Sequence, residues 1–138
     1  MGGNPFTPSG ATNPGGQSWA TSSTYIAVTG MVADTSTYPG STVTSNKLNV
    51  QGSKTNATIA ASIPFGSSFG GATHTIRLVD QSGTVIGSPG SAVGGISGTC
   101  TVTASGVDLS AITSVGVEMA ASGAGSGNTA ATGTLTIT

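Results

Sequence analysis

The stretch TNATIAASI, residues 55–63, decides the fold class of this chain. Its aliphatic residues occupy every second position from Ala57 to Ile63, with Thr, Ala and Ser between them and Asn56 before them. A period of two places one set of side chains on each face of a β-strand, so one face is apolar and the other is small and uncharged. The stretch therefore predicts a half-buried strand whose outer face is hydrated through its hydroxyl groups.

The same alternation recurs along most of the chain in short segments separated by turn residues. These segments follow one another about every 8–12 residues, a spacing typical of sandwiches and barrels. DQSG at residues 80–83 predicts a hairpin turn, Asp108–Ile112 predicts a one-turn helical link, and Pro64 is expected to end its strand before a loop at 65–71. We predict an all-β fold, an antiparallel β-sandwich of about eight strands, with a jelly-roll order as the preferred topology. The predicted strands are 25–32, two short pieces at 42–44 and 47–51 that a bulge or turn interrupts, 55–63, 73–79, 84–86, 99–104, 114–120 and 132–138.

The first 22 residues differ from the rest, with three prolines and five glycines. This composition favours extended backbone and predicts an N-terminal arm at 1–22, followed by a β-sandwich domain at 23–138. Phe6 and Trp19 are the two large hydrophobic residues of the arm. Two interpretations stay open: Trp19 packs on the edge of the domain, or the arm docks on a neighbouring subunit with Phe6 as its anchor.

Charged residues are scarce: three Lys or Arg and four Asp or Glu stand in 138 residues, against 43 Ser or Thr and 23 Gly. Three cations cannot supply the basic surface that nucleic-acid binding requires. There is no polybasic segment for an anionic membrane, and no apolar run approaches the ~18 residues of a membrane span. A single cysteine excludes an internal disulfide framework. We also see no charged segment followed by an apolar one at the start, and expect no secretory signal.

Few side chains in the sequence could carry chemistry. His74 is the one histidine and falls on the same side of its strand as Ile76, so we interpret it as structural. Cys100 falls on an apolar strand face, where a thiol packs like a small hydrophobic group. The four carboxylates are scattered and each suits a turn, a cap or an outer face. No spacing typical of calcium or zinc ligands occurs. We predict no enzyme activity, no metal and no cofactor.

Aromatic side chains remain as candidates for stacking on sugars or contacting a partner. The Tyr38-Pro39-Gly40 segment and the loop holding Phe65 and Phe69 would form a binding rim if they met at one end of the sandwich. The alternative, that these rings pin loops to the core, stays open. The candidate contact residues are Phe6, Trp19, Tyr38, Phe65 and Phe69, with Tyr25 as a further aromatic.

Several short segments resemble those of small virion proteins of tailed phages that infect actinobacteria. They are YPGSTV at 38–43, LNVQG at 48–52, NATI at 56–59, and IRLVD followed by SGTVI at 76–86. The resemblance implies a non-enzymatic β-sandwich subunit, a homotrimer, bound to the major capsid or tail protein as a decoration or minor tail protein. It also implies synthesis in the host cytoplasm and display on the particle exterior, and it assigns no binding residue. The alternative function is a carbohydrate- or cell-surface-binding module that contacts host glycans.

Overall fold

A computed structural model describes residues 5–19, 24–69, 71–123, 127–130 and 132–138. Within these residues no helix is long and apolar enough to cross a membrane. The elements are β1 (Ser9–Asn13), β2 (Ile26–Ala27), β3 (Val32–Ala33), β4 (Val43–Thr44), β5 (Lys47–Asn49), β6 (Ala57–Gly66), β7 (Thr73–Asp80), β8 (Val85–Ile86), β9 (Val93–Gly94), β10 (Gly98–Val107), the 3-10 helix η1 (Leu109–Ala111), β11 (Ser114–Ala121), β12 (Asn128–Thr129) and β13 (Gly133–Ile137).

The strands form two antiparallel sheets that pack face to face. One, which we name the β6 sheet, has the order β10-β6-β13-β1-β3, with β12 also on β6. The other, the β7 sheet, has the order β4-β5-β11-β7-β8, with β2 on β11 and β9 on β7. The pairs are nested: β1 with β13, β5 with β11, β6 with β10 and β7 with β8. This nesting defines a jelly roll, so the predicted antiparallel sandwich and its preferred topology are confirmed.

Alternation along the strands builds the core, as predicted. In β6 every second residue from Ala57 to Phe65 is buried and the residues between them are partly exposed. Ile59 and Ile63 from this sheet and Leu78 from the facing sheet are fully buried. Burying this apolar area is the main source of stability in such a sandwich.

Pro64 does not end its strand, contrary to the prediction. β6 runs on to Gly66, and Pro64 pairs with Thr99 of β10. Its carbonyl accepts a hydrogen bond from the Ala130 N–H at 2.8 Å, so its missing N–H faces the break between β12 and β13. The ladder needs no donor at this break, and a proline is tolerated there.

The sequence predicted about eight strands, but thirteen segments are formed among the described residues, because turns divide two of the predicted strands and because β1, β9 and β12 form outside the predicted strands. The predicted strand at 25–32 becomes β2 in one sheet and β3 in the other. Gly30 lies between them with φ 80°, a left-handed conformation that lets the chain cross between sheets. Ser45 and Asn46, at φ 51° and 65°, form the two-residue turn that joins β4 to β5. The predicted helical link is present as η1, where the Asp108 carboxylate accepts a hydrogen bond from Ser110 N.

The N-terminal segment is not an arm outside the sandwich in its described part. β1 lies inside the β6 sheet, paired with β13 on one side and β3 on the other. Trp19 is 3% exposed and belongs to the core, so its packing is deeper than an edge contact. Small residues in SGATN allow this close fit despite the surrounding prolines. The predicted boundary at residues 22 and 23 lies outside the described residues.

Gly10 shows why the composition of this segment matters. A Cβ atom at Gly10 would come within 2.2 Å of Tyr38 Cδ2, because the Tyr38 ring lies directly on the Gly10 backbone. We expect Gly10→Ala to lower the free energy of unfolding by about 1–3 kcal/mol through overpacking. Urea unfolding of both single variants and of Gly10→Ala with Tyr38→Ala should show that removing the ring relieves most of this penalty. Additive effects, within about 0.5 kcal/mol, would contradict the contact.

Candidate functional site

Charge is distributed unequally between the two sheets. Four charged residues lie within strands, and all four belong to the β7 sheet: Lys47 in β5, Arg77 and Asp80 in β7, and Glu118 in β11. The described strands of the β6 sheet carry none. Their outward residues form an uncharged surface that we name the threonine face. It comprises Thr58, Ser62, Thr99, Thr101, Thr103, Thr134 and Thr136.

An ion pair lies at the centre of the opposite face. Arg77 is the cross-strand partner of Glu118, and its Nε and Nη2 approach the same carboxylate oxygen, Oε1, at 2.8 and 2.7 Å. The Tyr25 ring lies against the guanidinium, with the Arg77 Cζ atom 3.8 Å from the ring centroid. β2 brings Tyr25 here because Ala27 and Ile26 pair with Glu118 and Met119 of β11. We name these three residues the Tyr25 triad.

Lys47 lies on the same face but its amino group is occupied. Nζ donates to the Asp80 carbonyl at 2.7 Å and to the Gln81 carbonyl at 3.3 Å. Its aliphatic stem crosses Gly116, where a Cβ atom would come within 2.9 Å of Lys47 Cγ. The side chain therefore ties the edge of the sheet to the hairpin turn and covers apolar surface, as long cationic side chains often do.

Two open depressions lie on either side of the Tyr25 triad. The first has a volume of about 140 Å³ and combines hydroxyl, methyl and aromatic groups. Its lining residues are Tyr25, Thr73, Thr75, Ala120, Ala121 and Ser122. The second has a volume of about 130 Å³ and is lined by Ala27, Val28, Ser45, Asn46, Lys47, Val79, Gly116, Val117 and Glu118. A sheet face with an oriented ring and hydroxyl-lined depressions is the candidate functional site.

His74 is in the core, on the side of the strand that the sequence predicted. It is fully buried and stacks on Phe65 with ring centroids 3.8 Å apart, while Trp19 meets it edge-on at 4.7 Å. Nδ1 lies 3.3 Å from the Val93 carbonyl and Nε2 lies 3.4 Å from Ser68 Oγ. Packing of this kind gives His74 a structural role.

The carboxylates outside the ion pair also have local structural partners. Asp80 accepts hydrogen bonds from Ser82 N and Thr84 N in the hairpin turn, and Asp34 accepts one from Thr37 N. The bond from Ser110 N lowers the pKa of Asp108. No group of three or more His, Cys, Asp or Glu side chains among the described residues is arranged to hold a metal ion.

Cys100 is fully buried, and desolvation raises the pKa of its thiol to about 12. A thiol reagent at pH 8 should leave the native protein unlabelled and label it fully in 6 M guanidinium, since only the thiolate reacts. Above pH 9 the unfolded thiol ionises while the native thiol keeps its proton. Stability should therefore fall with pH between about 9 and 12, by at most ~1.4 kcal/mol per pH unit. Cys100→Ala should remove that slope; rapid native labelling would contradict the burial.

Two of the aromatic residues predicted to contact a partner are buried in the core of this chain, and a third packs partly against it. Phe65 is 2% exposed and Trp19 is 3% exposed, so the prediction that either ring meets a ligand is wrong. Phe6 is half-buried against the core, and Lys54 Nζ lies 5.1 Å from its ring centroid. Phe6 thus packs partly on its own domain, and its role as an anchor on a neighbouring subunit stays a prediction.

The predicted aromatic rim does not form. Tyr38 lies on Gly10, at the level of Ala60 in β6, whereas Phe69 follows the last residue of β6, Gly66. The six residues of extended strand from Ala60 to Gly66 span about 20 Å, and Phe69 lies beyond that end of the strand. Phe69 is 73% exposed and stands alone among the five predicted contacts in being fully accessible. The rings of Tyr38, Phe65 and Phe69 therefore form no shared surface, and a carbohydrate-binding module that uses Tyr38 or Phe69 alone stays a prediction.

Sequence reasoning named Tyr25 as an aromatic but missed its partners. Arg77 and Glu118 both fall on outward positions of alternating strands, which is a usable signal, but their pairing depends on a register that one sequence does not reveal. No protein-family model matches the chain, and no curated protein sequence matches it significantly. The function of this chain is therefore inferred from these residues and their geometry.

Proposed function

We propose that this chain is a non-enzymatic structural subunit of a virion, an accessory protein on the capsid surface or the tail, displayed on the particle exterior. The segments at 38–59 and 76–86 that resemble phage virion proteins support this proposal. The jelly roll supports it too, because a compact sandwich with two broad outer faces suits stacking against other subunits. The partners would be the major capsid or tail protein and further copies of this chain in a homotrimer.

The threonine face is the observation that carries the proposal. Thr99, Thr101 and Thr103 project from β10 as exposed residues, and no charged side chain stands on any described strand of this sheet. Burying a charged group against a partner costs several kcal/mol unless the charge is paired, whereas a hydroxyl readily finds a hydrogen bond. A face of this composition can be covered permanently at little cost.

The ionisable side chains support the non-enzymatic part of the proposal. Arg77 pairs with Glu118, Lys47 bonds to backbone carbonyls, and His74 packs between aromatic rings. Catalysis by acids, bases or nucleophiles needs such groups close together at an accessible surface. Here each of them has a partner that stabilises the fold.

Particle fractionation tests the proposal. Virions purified from the source culture should contain the chain at a fixed copy number, and Thr101→Lys should lower its incorporation at least tenfold by placing a charge on the threonine face. Ser82→Lys adds the same charge at the exposed turn of the other sheet and should incorporate normally. Thermal unfolding should show that both variants fold. Absence of the chain from particles, or full incorporation of folded Thr101→Lys, would overturn the proposal.

A further inference from the structure

We propose that the depression beside Tyr25 binds one unit of an uncharged carbohydrate, with the Tyr25 ring as its stacking surface. This inference concerns the charged face of the sandwich, opposite the threonine face. It goes beyond the structural role and does not depend on it, since a sugar site would serve equally a virion subunit and a free protein.

The Tyr25 triad holds an aromatic ring in a fixed position. Arg77 donates to Glu118 through Nε and Nη2. Its guanidinium covers one face of the Tyr25 ring, with Cζ 3.8 Å from the ring centroid. The side chains of Arg77 and Glu118 are 27% and 22% exposed, and an ion pair so close to water adds little to stability. One of the three basic residues of the chain is thus used to orient a ring on an outer face.

Tyr25 borders a depression as well as contacting the cation. Tyr25 lines the 140 Å³ depression and Arg77 does not. Because the guanidinium occupies one face of the ring, we place the sugar against the ring surface that remains. Stacking against an aromatic ring suits the C–H face of a sugar, which is apolar, while the sugar hydroxyls point outward to polar neighbours.

The lining chemistry selects an uncharged, hydroxyl-rich ligand. Thr73, Thr75 and Ser122 border the depression with hydroxyl groups, which both donate and accept hydrogen bonds. Among the described residues that line it, none is charged. A phosphate or carboxylate would find no cation there, since the nearest one, Arg77, is already bound by Glu118.

The volume limits the size of the bound unit. Sites for drug-sized ligands have volumes of about 300–1,000 Å³, well above the 140 Å³ found here. A single sugar ring, bound alone or as the end of a longer glycan, fits this limit. A ligand so small and so open to water should bind with a Kd of about 1 mM, or roughly 4 kcal/mol.

The second depression offers a place for further units of a longer sugar. Its residues on β11 are centred on Val117, four residues along the strand from Ala121 in the first depression, which corresponds to about 13 Å. Glu118 lines it, and its Oε2 atom has no hydrogen-bond partner among the described residues, since both Arg77 donors use Oε1. An oligosaccharide lying along β11 would thus bind more tightly than a monosaccharide.

Titration of the folded full chain with neutral sugars tests the inference. The probes are glucose, galactose, mannose, maltose and lactose, with glucuronic acid as the charged comparison, followed by NMR shifts of the Tyr25 ring. At least one neutral sugar should bind saturably in the millimolar range, with less than a twofold change in Kd in 0.5 M NaCl. Binding by glucuronic acid alone, or no saturable binding to any probe, would overturn the inference.

Variants separate the site from the rest of the surface. Tyr25→Ala should weaken binding at least tenfold, and Thr73→Tyr, which fills the depression and leaves the ring in place, should do the same. Val32→Thr, at an exposed position of the other sheet, should stay within twofold. Undiminished binding by folded Tyr25→Ala and Thr73→Tyr would overturn the site.

Arg77 and Glu118 are positioning residues, and their role has its own readout. Glu118→Ala should weaken binding severalfold and shift the Tyr25 ring resonances before sugar is added, because the guanidinium loses its anchor. Glu118→Gln keeps an acceptor oxygen for Arg77 and should restore most of the affinity. Wild-type affinity in Glu118→Ala would contradict the positioning role.

Discussion

Replacing Phe65 by alanine is expected to lower the free energy of unfolding by about 3–5 kcal/mol, the range measured when large buried aromatic rings are truncated. The Phe65 ring is 2% exposed and lies between the two sheets. It stacks on His74 at 3.8 Å and meets Trp19 edge-on with centroids 5.9 Å apart. Truncation leaves a cavity bordered by two aromatic side chains that cannot both move in to fill it.

Phe69→Ala is the matched control, since both residues were candidates for contacting a partner. Phe69 is 73% exposed, and its truncation should change stability by no more than about 0.5 kcal/mol. Urea unfolding followed by the fluorescence of Trp19, the one tryptophan, reports both variants. Equal stability of the two variants would mean that Phe65 is not a core residue.

The alternation of TNATIAASI was enough to predict the sandwich because it depends on local geometry alone. Each residue of a strand faces opposite to its neighbour, so a period of two identifies the core side wherever it occurs. The burial of Ile59, Ile63, Ile76 and Leu78 follows from that rule. The jelly-roll order was a preference only, because one sequence does not reveal the order of the strands.

The predictions for Pro64 and for the N-terminal segment were wrong because contacts with distant strands, rather than local sequence, determine the structure there. Pro64 stays in its strand because the strand beside it is interrupted at that point, and no local pattern reveals a neighbour's break. Ser9–Asn13 is an inner strand although prolines surround it, because β13, more than a hundred residues away, supplies its partner. Propensity describes the isolated segment, and pairing with distant strands overrides it.

The candidate site was the least predictable part, for the same reason. Tyr25, Arg77 and Glu118 are separated by about fifty and forty residues, and three strands must pair in one register to bring them together. A shift of one residue would turn Arg77 into the core. The alternation therefore identifies Arg77 and Glu118 as outward-facing residues from sequence. Only the register of β2, β11 and β7 shows that they meet each other and Tyr25.

The second large effect is expected from Ala11→Pro in β1. The Gly10 carbonyl accepts a hydrogen bond from Asp34 N at 2.9 Å, on the side of β1 that faces β3. Because successive residues of a strand bond to opposite sides, the Ala11 N–H points toward its partner Leu135 in β13. Proline removes that donor and leaves a buried acceptor unpaired, at about 1–3 kcal/mol, with backbone strain of similar size. We expect a loss of at least about 3 kcal/mol, measured by urea unfolding. Thr12→Val, which keeps a β-branched side chain on the outer face, should have little effect.

Removing β1 altogether tests whether the N-terminal segment belongs to the folded unit. A chain that begins at Pro14 exposes the edge of β13 and uncovers fully buried side chains such as Ile137, so it should lose cooperative unfolding. A synthetic peptide of residues 5–13 should restore folding when added, because the missing strand can pair from outside the chain. If the shortened chain unfolds with the wild-type Tm, Ser9–Asn13 contributes nothing to the sheet and the segment acts as a separate arm. Rescue by the peptide would instead make it an integral strand of the jelly roll.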